Sequence, residues 1–82
     1  MTYRLIRLAS GSYDLELDGD VIASVVRDGN HGHRAARWFA ELLDEAGPKP
    51  APFTDPVHEF ASFDEVAAWL GQPDTVNMAR VA

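Results

Sequence analysis

Asp14, Glu16, Asp18 and Asp20 place carboxylates at every second position, with Gly19 between the last two. The spacing reproduces the front half of an EF-hand calcium loop, which needs oxygen ligands at positions one, three and five and glycine at six. The twelfth position of that loop must supply a bidentate carboxylate, and here it is Val25. Leu15 and Leu17 also alternate with the acids, as residues of a half-buried strand do. The acids are therefore expected to form the water-facing row of a sheet and not a calcium site.

Transition-metal chemistry has one candidate set, His31, His33 and Asp28 with His58 further along the chain. An H-x-H pair can chelate zinc or nickel through neutral imidazole nitrogens. The pair lies in a Gly-Asn-His-Gly-His stretch, and ordering such a loop opposes binding. It is read as a polar loop, and no metal or other cofactor is expected. Hydroxyl nucleophiles are available at Ser10, Ser12, Ser24, Ser62, Thr2, Thr54 and Thr75. None sits in a nucleophile-elbow pattern, and Ser62 has the spacing of a helix cap. His58 and Glu59 are adjacent in an extended run, so they point to opposite faces. With no cysteine in the chain, thiolate nucleophiles and disulfides are excluded. The chain is not expected to be an enzyme.

For nucleic acid the usable cations are Arg4, Arg7, Arg27, Arg34 and Arg37, of which Arg34 and Arg37 would share a face one helical turn apart. Against them stands a formal net charge of −6, which repels phosphate backbones and anionic headgroups alike. Trp38 and Trp69 are expected in the core. If either is exposed it becomes an anchor for a protein partner, as Trp is enriched at binding hot spots. Trp38, Trp69, Arg34 and Arg37 are the interaction candidates.

These residues must be held by a small α+β domain. Tyr3 to Leu8, Tyr13 to Leu17 and Val21 to Arg27 read as strands of an antiparallel meander, joined by Ala9-Ser10-Gly11-Ser12 and by the hairpin signal Asp18-Gly19. A four-residue first loop pairs Leu8 with Tyr13, Ile6 with Leu15 and Arg7 with Asp14, placing Leu8, Ile6, Tyr13, Leu15 and Leu17 inside. The third strand is apolar on both sides, which marks it as central or doubly covered. Residues 34–46 are rich in Ala, Leu, Glu and Arg, and propensity favours a helix. The alternation of Trp38, Ala40 and Leu42 with Phe39, Glu41 and Leu43 allows a fourth strand instead. Pro48 to Pro52 must be extended. Val57 to Phe60 is a short strand, and Ser62 with Glu65 forms a capping box for a final helix that ends at Gly71.

The expected architecture is a three- to four-stranded meander with one or two helices on one face, in the order βββα(β)α, or ββββ(β)α if 34–46 is a strand. Residues 1–71 form the domain and 72–82 a flexible tail. At 82 residues the core alone supplies only about 3–5 kcal/mol. No apolar run has the length of a signal peptide or a membrane span. With an Arg-rich, Ala-rich composition, this points to a bacterial cytoplasmic protein. The expected function is a non-catalytic interaction or accessory module, binding a protein partner or itself. The alternatives are a nucleic-acid-associated regulator using Arg27, Arg34 and Arg37, or weak binding of a metal by histidine.

Overall fold

A computed structural model describes residues 2–29 and 36–78. Strands β1 (Tyr3–Ala9), β2 (Ser12–Leu17), β3 (Asp20–Asp28), β4 (Arg37–Leu42) and β5 (Val57–Phe60) form a continuous antiparallel meander. Helix α1 (Phe63–Trp69) follows, and strand β6 (Asp74–Asn77) adds to the far edge, parallel to β1. The sheet order is β5-β4-β3-β2-β1-β6. The α+β class and the meander agree with the expectation. The sheet is wider, and among the described residues there is one helix.

The expected register of β1 is corrected. Leu5 faces Leu15, Ile6 faces Asp14, and Arg7 faces Tyr13. The first turn has only two residues outside the ladder, with Gly11 at φ +79°, and the pairing shifts at Leu8. That irregularity absorbs one residue and flips the parity of the whole strand. Leu5 is therefore inside, and Ile6 turns to the opposite face with Asp14. The second hairpin closes on Asp18 and Gly19, both at positive φ, which is the two-residue type I′ geometry favoured by Asp-Gly. Thr2 donates its backbone N–H to Asp18 Oδ1 at 2.7 Å and ties the chain start to this turn.

Residues 37–42 are strand, not helix. The segment hydrogen-bonds to β3 on one side and β5 on the other, so its backbone is satisfied twice over, and tertiary pairing overrides propensity. A helical stripe would have buried Leu43, which instead is 60% exposed. Past Gly71, the expectation of a loose tail also yields, because β6 pairs Asp74 to Asn77 with Arg4 to Arg7. All four β6 residues are exposed, so pairing and not burial holds the strand. Residues 79–82 lie outside the described ones.

The core is one face of the sheet. Leu5, Leu15, Ala23 and Leu42 are successive cross-strand partners in a single row, and all are buried. The neighbouring row runs Tyr13, Val25, Ala40, His58. The small side chains of Ala23 and Ala40 leave room for Val66 of α1 and its C-cap residue Leu70, which are buried against this face. Ser62 caps the helix, accepting from Glu65 N at 3.2 Å, and the Glu65 carboxylate returns to accept from Ala61 N at 3.2 Å. The other end closes in a Schellman motif around Gly71, with Gln72 N donating to Ala67 O and Gly71 N to Ala68 O. Ser62→Ala is expected to destabilise the domain by about 1 kcal/mol, read as a lower urea midpoint at constant slope. An unchanged midpoint would show that the cap contributes nothing.

Candidate interaction surface

Two aromatic groups fill the space between helix and sheet. Phe63 stacks on Tyr13 at 4.6 Å and meets Trp38 at 5.2 Å. Trp69 meets Phe53 at 4.8 Å, His58 at 4.7 Å and Phe60 at 5.0 Å. Both tryptophans are half-buried within these groups, so neither stands out as an isolated anchor.

His58 has a structural partner set. Its Nε2 accepts from the backbone N–H groups of Thr54 and Asp55, at 3.1 and 3.2 Å. That closes the loop leading into β5. His58 pairs across from Ala40 on the covered face, while Asp28 pairs with Arg37 on the other face. These two members of the metal set are therefore not brought together. His31 and His33 lie outside the described residues, and no group of three ligand-type side chains converges among the described ones. Arg27 pairs with Trp38 and lies over its ring at 6.0 Å, on the covered face. Arg37 points to the opposite face and binds Glu59 Oε2 at 2.7 Å. The two guanidinium groups do not share a face, and Arg34 lies outside the described residues.

Tyr3 closes the covered face at its β1 side. Its hydroxyl donates to the Ala51 carbonyl at 2.6 Å, a bond only the protonated phenol can make, and burial raises its pKa above 10.0. A raised folded-state value means that the unfolded chain loses this proton first. The stabilisation is whole below pH 10 and falls as pH climbs from 10 through the folded value. Tyr3→Phe should lower stability at neutral pH by about 1 kcal/mol and flatten the decline above pH 10. Denaturant titrations across that window check it, and parallel declines in the two proteins would refute it.

The other face of the sheet is open. Among the described residues, all the buried strand residues, Leu5, Leu15, Ala23, Val25, Ala40 and Leu42, share the covered face, and none of the opposite face is buried. One open row runs Val76, Ile6, Asp14, Ser24, Glu41, Val57. In the next, Val26 pairs with Phe39 and Phe39 with Glu59. A depression of about 310 Å³ opens at Val26 and Phe39, bordered by Arg27, Asp28 and Glu41. The acids read as a solvated sheet row are here: Asp14 and Glu16 are half-buried on this face. Glu16 accepts from Arg4 Nη2 at 2.8 Å and from Arg4 Nε at 3.1 Å. Among the described residues, Asp14 and Glu41 have no cation within ion-pair distance.

Phe39 and Val26 were not among the sequence candidates. A helix over 34–46 would give Phe39 no partner on β3, whereas the two-sided apolarity of β3 does signal a second surface. No protein-family model matches the chain, and no curated protein and no solved structure matches it.

Proposed function

We propose that this protein is a non-catalytic interaction module that binds a polypeptide partner on the open face of its sheet. The observation that carries the reading is the asymmetry of the sheet: one face is sealed by α1 and the proline segment, and the other holds Ile6, Val26, Phe39, Val57 and Val76 without a covering element among the described residues. Two apolar cross-strand pairs on an uncovered sheet face, Val26 with Phe39 and Ile6 with Val76, mark a docking surface more often than an ornament of the exterior. The pleated face also offers a rigid platform, since its strands are held by hydrogen bonds on both sides from β4 to β1.

The test is a random peptide library displayed against the immobilised protein, with selected ligands assayed on Val26→Thr/Phe39→Thr. Threonine keeps strand propensity, so the double variant should retain its fold, checked by circular dichroism. Ligands are expected to lose most of their affinity for it. Equal binding to both proteins would place recognition elsewhere and defeat the reading.

Self-association is a second reading, favoured by the two sheet edges. Among the described residues β5 and β6 are each paired on one side only, which leaves backbone donors and acceptors that a second copy could use. Light scattering after size exclusion should then give twice the chain mass, and a strict monomer at high concentration would dispose of it.

A further inference from the structure

We propose that the partner on the open face is a cationic polypeptide segment, with an Arg or Lys side chain seated in the depression at Val26 and Phe39. The inference rests on the reading of this face as an interaction surface and adds the chemistry of what it binds. The charge balance of the face selects the occupant. Among the described residues, Asp14, Glu16, Glu41, Glu59 and Asp74 share it with Arg4 and Arg37, five carboxylates against two guanidinium groups, while the Arg27 guanidinium lies over Trp38 on the covered face. Arg4 and Arg37 are already bound, to Glu16 and Glu59.

The apolar and acidic parts are in register with each other. Val26 and Phe39 are direct cross-strand partners, and one step along the same strands Ser24 lies between Asp14 and Glu41. A long basic side chain matches both parts at once. Its methylene stem covers apolar surface while its head stays with the acids. A guanidinium group can also lie on the Phe39 ring and pair with the Glu41 carboxylate. A second copy presenting the same face would bring Asp14 and Glu41 against like charges and leave them desolvated without partners. Phosphate backbones meet the same repulsion.

The test is a titration of the nitrogen-15-labelled 82-residue chain, followed by amide shifts. The probes are two alternating hexapeptides, acetyl-Arg-Val-Arg-Phe-Arg-Val-amide and its counterpart with Glu in place of Arg. The cationic peptide is expected to move the amides of Ser24, Val26, Phe39 and Glu41, to bind more weakly as salt rises, and to leave α1 unmoved. Asp14→Asn/Glu41→Gln should weaken it about fivefold to tenfold. Val26→Thr/Phe39→Thr should weaken it by removing the apolar seat. Preferential binding of the Glu peptide to this face would overturn the cationic occupant while keeping the interaction surface. Shifts at the same amides on concentrating the protein alone would assign the face to a second copy and overturn it as well. Failure of both peptides to move any open-face amide would sink the inference together with the reading beneath it.

Discussion

Leu15→Ala is expected to destabilise the domain by about 2–5 kcal/mol, enough to threaten folding at this size. Leu15 has no exposed surface and sits between Leu5 and Ala23 in the row that also ends in buried Leu42. Ala23 next to it is small and cannot expand to fill a void, so the cavity would persist. With a urea slope of about 1 kcal/mol per molar for so small a protein, the midpoint should fall by 2 M or more. Two comparisons make the expectation specific. Leu17→Ala, at a half-buried end of β2, should cost well under half as much. Ile6→Ala should likewise cost less than Leu5→Ala, since Leu5 is buried and Ile6 lies on the open face. Equal losses at Leu5 and Ile6 would mean that the β1 register is wrong.

The Leu5 and Ile6 pair also shows why the sheet was only partly legible in the residues. In β2, Leu15 and Leu17 alternate with acids, and the Asp18-Gly19 turn pins the strand end, so the parity of that strand could be read directly. In β1, Leu5, Ile6 and Leu8 are all apolar, and only the turn could decide which pointed inward. A bulge is invisible in such a pattern, because the residue it absorbs has no compositional mark. β4 failed for a different reason. Its alanine, leucine and glutamate suit a helix locally, and what makes it a strand is two neighbouring strands supplied by distant sequence. β6 left no trace, since an exposed edge strand held by backbone pairing has no apolar period. α1 was the opposite case: cap, stripe and terminating glycine are all local, and all were readable.

The candidate surface follows from the same physics. Recognising the open face required knowing that Phe39 and Val26 are cross-strand partners, which depends on β4 being a strand. Once that pairing exists, acids expected merely to face water become the border of an apolar depression. The histidines illustrate the converse. His58 looked like a ligand by type, yet its Nε2 is occupied by two backbone donors, a role set by a loop whose closure no spacing rule encodes.

Phe53→Ala should be as damaging as any core truncation, at about 3–5 kcal/mol, although Phe53 lies in no helix or strand. It is the only buried residue between β4 and β5, with its ring edge-on to Trp69 at 4.8 Å and to His58 at 5.7 Å. Its N–H donates to the Pro50 carbonyl at 2.9 Å, which folds the proline segment back over the sheet. That anchor is what brings the Ala51 carbonyl to the Tyr3 hydroxyl. The two residues should therefore be coupled, although they sit at separate ends of the contact. In a double-mutant cycle, Tyr3→Phe is expected to cost about 1 kcal/mol in the natural background and close to nothing once Phe53 is Ala. The alkaline decline in stability should flatten in the same variant, because a released Ala51 no longer holds the phenol. Strict additivity of the two substitutions would show that the segment keeps its place without Phe53. The covered face would then be sealed by the backbone of the proline run itself, not by the one aromatic ring it carries.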